Sequence, residues 1–143
     1  MAMSYQIDKK KTVVKCTFSG VITPNDVLAF RQHILGDRNF SPAFSQLSDW
    51  TKATKIDIST TEANILAAMS PFHHDSRRAI LIPDNLHDLG LYQIFEATRR
   101  FNGDKGIRLF HYLQEAQDWA SPRKHRSSLS KGTNQYSVRK RAA

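Results

Sequence analysis

The segment RRAILIPDNLHDLGLYQIFEATRRFNGDKGIRLFHYLQEAQDW, residues 77–119, reads strand, helix, strand, helix with its punctuation in place. Residues 79–82 form an unbroken apolar run, the pattern of a strand covered on both faces, and Pro83 to Asn85 would end it. From Leu91 the apolar residues Leu91, Ile94, Phe95 and Phe101 keep helical spacing. Asn102 and Gly103 stop that helix before residues 107–110 resume a strand, and a short last helix ends near Trp119 or Ala120. This alternation places the chain among the α/β folds, yet the segment carries no residue set that names a reaction.

Working outward, Tyr5 and Ile7 lie on a short strand and residues 13–18 on a second, joined by a lysine turn at 9–11 that keeps a sheet edge soluble. Gly20 is expected to close the second strand. Thr23, Pro24 and Asp26 then spell a helix start, with the hydroxyl at the cap, proline in the first turn and an acid at the positive end, and Gly36 is the expected stop after Leu35. Residues 40–42 read as a loop and 44–50 as a third strand, its pattern interrupted by Ser45, Gln46 and Ser48. Ser59 and Glu62 form a capping box, with Ile58 and Ala63 at the positions of a hydrophobic staple, so a second helix is expected over 60–70. Residues 71–76 read as a turn. The expected order is β, β, α, β, α, β, α, β, α, an antiparallel hairpin feeding β/α crossovers.

The chain has 143 residues, the size of one domain with a real core. No run of 18 apolar residues occurs and residues 1–11 are polar and basic, so the expectation is a cytoplasmic protein with no transmembrane segment. The one cysteine, Cys16, alternates with Val14 and Phe18 and reads as a packed thiol. The net charge of +8 is unevenly spread. Residues 1–120 hold 14 Lys/Arg against 13 Asp/Glu, whereas 121–143 hold seven cations (Arg123, Lys124, Arg126, Lys131, Arg139, Lys140 and Arg141) and no acid. The expected organisation is therefore a domain over 1–120 and a basic tail over 121–143, poor in large apolar residues.

Residues 4–120 resemble the STAS domain, the SpoIIAA-like family of small bacterial α/β proteins. The resemblance is carried by residues 20–23 before the first helix, by 47–50 at the end of the third strand, by AILIPDNLHDLG at 79–90 and by EAQDW at 115–119. It implies a mixed sheet of four or five strands with about four helices, and a binding or regulatory module rather than an enzyme. Anti-sigma-factor antagonists of this family carry a phosphorylatable serine in a D-S-x-G loop. The matching place here is Asp57, Ile58, Ser59, Thr60, Thr61, which keeps an acid and a hydroxyl but lacks the adjacent pair and the glycine. Ser59 is thus a candidate phosphoswitch whose plainer role is the helix cap.

Three chemistries can be weighed against ordinary structural roles. His73, His74 and Asp75 have metal-ligand side chains, but His33, His87 and His111 show no ligand spacing to them, so a solvated turn is expected and no metal or other cofactor. Asp49 and Asp84 at strand ends have the residue type of a carboxylate pair, and turn or cap duty is the simpler assignment. No G-x-S-x-G and no thiol beside a histidine is present, so no catalytic residue is expected.

The favoured site is a non-catalytic apolar surface at the carboxyl ends of the strands. It comprises Trp50, Thr51, Phe72, Asp84, Leu86, Leu89, Gly90 and Tyr92, in a loop over 50–59 and the start of the helix after the fourth strand. Its expected occupant is a small apolar or anionic ligand or a protein partner, and a homodimer fits the same reading. The alternative is an electrostatic adaptor whose basic tail binds RNA, DNA or acidic lipid weakly and in a salt-dependent way. With Tyr136 the sole aromatic residue of the tail, no base-stacking platform accompanies the charge.

Overall fold

The computed structural model describes residues 3–83 and 106–121. Strands β1 (Met3–Asp8) and β2 (Val13–Ile22) precede helix α1 (Pro24–Leu35), strand β3 (Ser45–Ile56), helix α2 (Thr60–Ala68), strands β4 (Arg78–Leu81) and β5 (Ile107–Phe110), and helix α3 (Leu113–Ala120). The five strands form one sheet in the order β1-β2-β3-β4-β5. The β1–β2 pair is antiparallel and the other three pairs are parallel. The expected mixed α/β sheet is present. Three helices lie among the described residues, and the helix expected from Leu91 falls in 84–105, outside them.

Local chemistry accounts for the element starts. The Asp26 carboxylate accepts from the Thr23 N–H (2.8 Å) and hydroxyl (3.0 Å), with Pro24 opening α1. At α2 the Ser59 hydroxyl accepts from the Glu62 N–H (3.1 Å) while Glu62 Oε1 accepts from the Ser59 N–H (2.9 Å), so two otherwise orphaned donors are satisfied reciprocally. Ile58 and Ala63, the staple pair, are both buried.

The sheet is covered on both faces. On one, α1 and α2 bring Phe30, Ile34 and Ala63 onto Val14, Cys16, Phe18, Trp50 and Ile80. On the other, α3 brings Ala116 and Ala120 onto Leu47, Ala79 and Leu81. All four residues of β4 are buried, as is Ile82 after it, which accounts for the apolar run over 79–82.

Several expected boundaries are corrected. Gly20 does not end β2: with φ at +72° it sits inside the strand beside a register shift, and the strand runs on to Ile22. Nor does the third strand stop at Trp50. It continues to Ile56 because β2 remains available as a partner through Ile22↔Ile56, well past the last β4 pairing at Asp49↔Leu81. Helix α2 ends at Ala68 rather than at residue 70, since Met69 leaves the helical region and Arg31 Nε takes its carbonyl at 2.7 Å. Strand β4 begins and ends one residue earlier than the apolar run suggests.

Candidate functional site

Strand alternation places Gln46, Ser48 and Trp50 on the α1/α2 face, and all three are buried. The Trp50 ring stacks on Phe18 with centroids 4.5 Å apart, and Phe18 meets Phe30 edge-on at 6.0 Å. Beneath this aromatic row runs a buried polar chain. Trp50 Nε1 donates to Ser48 Oγ at 2.8 Å, the Cys16 thiol reaches the same oxygen at 3.4 Å, and Gln46 Nε2 donates to Cys16 Sγ at 3.3 Å. Burial pushes the Cys16 thiol up to about 11, opposed by its contacts with Ser48 and Gln46, so the thiol stays protonated at neutral pH.

Beside this row lies a cavity of about 110 Å³ between α1, α2 and strands β2 to β5. Phe18, Trp50, Phe72 and Ile80 supply its apolar wall, and Arg31, Gln46, Ser48 and Arg78 supply polar groups. Arg78 is 4% exposed, and its Nη1 donates to Ser70 Oγ at 2.8 Å with the guanidinium 5.7 Å from the Phe72 ring. Desolvation lowers its pKa to about 10, which still leaves it cationic near neutrality. The wall is therefore apolar with a buried positive group, an environment in which an anion is attracted more strongly than in water.

Of the residues expected to form the ligand surface, Trp50 and Phe72 both line this cavity. Thr51 does not: it is exposed on β3, its N–H and hydroxyl donating to Asp49 Oδ1 at 2.8 and 2.6 Å. The expected loop over 50–59 is strand as far as Ile56, for the pairing reason given above. Asp84, Leu86, Leu89, Gly90 and Tyr92 lie outside the described residues, as do the seven tail cations.

A structure solved for an uncharacterised protein of the DUF3478 family, with a SpoIIAA-like fold, from Shewanella loihica PV-4 superposes with a TM-score of 0.53. The match covers 83% of this chain and 94% of that one at 16% identity. The fold is SpoIIAA-like. No family model and no curated protein matches the chain.

Within this SpoIIAA-like frame the remaining candidates separate by position. Ser59 is exposed at the α2 N-terminus, where its hydroxyl is engaged in the cap. Asp49 belongs to the opposite face of β3 from the cavity, sharing a depression of mixed polar and apolar lining with Lys15, Thr17, Leu47 and Gln117. His73, His74 and Asp75 bring one donor atom each within 4.8 Å on an exposed turn, with His74 Nε2 3.4 Å from Asp75 Oδ1. His33 lies on α1 with Nδ1 2.7 Å from the Ala29 carbonyl. Among the described residues, no helix is long and apolar enough to cross a membrane.

Sequence reasoning missed Arg31, Gln46, Ser48 and Arg78 as wall residues. The signal for two of them was the shared parity of Gln46, Ser48 and Trp50 on one strand, where polar residues mark a buried polar site rather than a broken pattern. Arg78 carried no such signal, being the residue that heads an apolar run.

Proposed function

We propose that this protein is a non-enzymatic binding or regulatory module whose recognition site is the cavity between α1, α2 and the sheet, receiving a small apolar or anionic ligand. The observation that supports this reading most is the meeting of the Trp50–Phe18 stack with the buried Arg78 guanidinium in one wall. An apolar concavity with a few placed polar groups is the usual form of a small-molecule site. The high thiol pKa of Cys16 and the position of Asp49 on the other face favour recognition over catalysis.

The test is ligand-observed NMR with small neutral and anionic apolar compounds on the full chain and on Leu66→Trp, which fills the cavity from α2. Binding in the millimolar range or tighter that Leu66→Trp removes supports the reading. No binding by any compound, or binding that Leu66→Trp leaves untouched, overturns it.

The second reading rests on the segregation of seven cations and no acid into residues 121–143. In it the tail docks the domain on RNA, DNA or acidic lipid through phosphate charge alone. Retention on immobilised nucleic acid or anionic vesicles at low salt, lost on truncation at Ser121, supports it. Retention unchanged by the truncation refutes it.

A further inference from the structure

We propose that the cavity takes a small monocarboxylate, its carboxylate on the Arg78 and Ser48 side of the wall and its hydrocarbon body against Phe18, Trp50 and Phe72. The inference rests on the cavity reading above and narrows it to one ligand class. Volume sets the size of the body. A cavity of about 150 Å³ lined by apolar groups accommodates the six carbons of benzene, so the 110 Å³ here suits a short or branched body of roughly four carbons.

Charge sets the head group. The ionisable side chains among the described wall residues are Arg31 and Arg78, both cations. Arg31 is turned to the end of α2 by its bond to the Met69 carbonyl, whereas Arg78 is buried beneath the aromatic wall. A planar guanidinium presents a fork of donors that matches a carboxylate, and such charge-assisted bonds are stronger than neutral ones.

Ser48 adds a second donor. Its oxygen accepts from Trp50 Nε1, and its hydroxyl hydrogen, which has Cys16 Sγ within reach at 3.4 Å, is free to rotate onto a bound carboxylate. A neutral alcohol would engage Ser48 and forfeit the cation. A phosphate ester would bring a second charge and a bulkier head into a wall that is mostly apolar.

The experiment titrates the full-length ¹⁵N-labelled protein with 3-methylbutanoate, with 3-methylbutan-1-ol as the neutral compound of equal hydrocarbon body, and with methyl phosphate. The acid is expected to bind about tenfold more tightly than the alcohol and to move the Arg78 Nε–Hε resonance, which the alcohol leaves in place. In Arg78→Met the two affinities become equal while alcohol binding persists. Equal binding of acid and alcohol with a stationary Arg78 resonance overturns the carboxylate assignment and leaves the cavity reading standing, as does preference for methyl phosphate. Binding of none of the three overturns both. Where Arg78→Met fails to fold, the wild-type ratio and the Arg78 resonance decide the question.

Discussion

The guanidinium carbon of Arg77 lies 3.7 Å from the centre of the Trp119 ring, so the residue before β4 is stacked on the residue that nearly closes α3. Arg108 on β5 lies 4.1 Å from the same ring, and Trp119 Nε1 donates to the Gly106 carbonyl at 2.7 Å. One indole thereby ties together the entry to β4, the entry to β5 and the helix that covers both strands.

Trp119→Ala is therefore expected to cost about 2–4 kcal/mol, combining lost burial, one hydrogen bond and two cation–π contacts. Arg108→Ala, at an exposed position, is expected to cost no more than about 1 kcal/mol. Urea unfolding followed by circular dichroism measures both. A Trp119→Ala midpoint indistinguishable from wild type would show that the stack is decorative.

The two strand-associated glycines predict different failures. A Cβ on Gly106 would sit 2.2 Å from the Ser76 carbonyl oxygen, which is backbone and has nowhere to go. Gly106→Ala should cost about 3 kcal/mol or prevent folding. A Cβ on Gly20 meets nothing within 4 Å, so Gly20→Ala carries only the strain of φ at +72°, about 1 kcal/mol. Equal losses in the two variants would contradict this distinction.

Where sequence and structure part company, a pairing partner or a solvent-exposed face is the reason. The cap at Ser59, the proline start of α1 and β5 were legible because each depends on a handful of adjacent residues. The second half of β3 was not. Its buried residues Trp50, Ala53 and Ile56 recur every third position, a spacing unlike a strand's, because β2 slips register opposite them and the ribbon's other side chains face water. The cavity was half legible: aromatic residues such as Trp50 and Phe72 advertise a site, while a buried arginine at the head of an apolar strand does so only once its neighbours are known.

The Ser59 cap separates stability from signalling. Ser59→Ala removes the acceptor for the Glu62 N–H and should cost about 1 kcal/mol, whereas Ser59→Asp supplies another acceptor and should stay within about 0.5 kcal/mol of wild type. If Ser59→Asp is as unstable as Ser59→Ala, the hydroxyl's bond to Glu62 is not what holds the α2 start. A change in ligand or partner binding by Ser59→Asp at unchanged stability is the expected signature of the phosphoswitch reading.

Cys16 gives the fold a pH dependence with a definite sign. Burial raises the thiol from 9.0 to about 11, so in that window the native state keeps a proton that the unfolded chain releases. The unfolded state binds fewer protons there, and stability must fall as pH rises. The contribution is complete below pH 9 and is lost on approaching pH 11. Cys16→Ala should cost about 1–2 kcal/mol at pH 7 through lost packing and should flatten the decline above pH 9 relative to wild type. Every other ionisable group is common to the two proteins, so its contribution cancels in the difference between the two urea midpoints. Parallel pH profiles for wild type and Cys16→Ala would mean that the thiol titrates at an ordinary value, in contact with water, and that the polar chain through Ser48 and Gln46 is open to solvent.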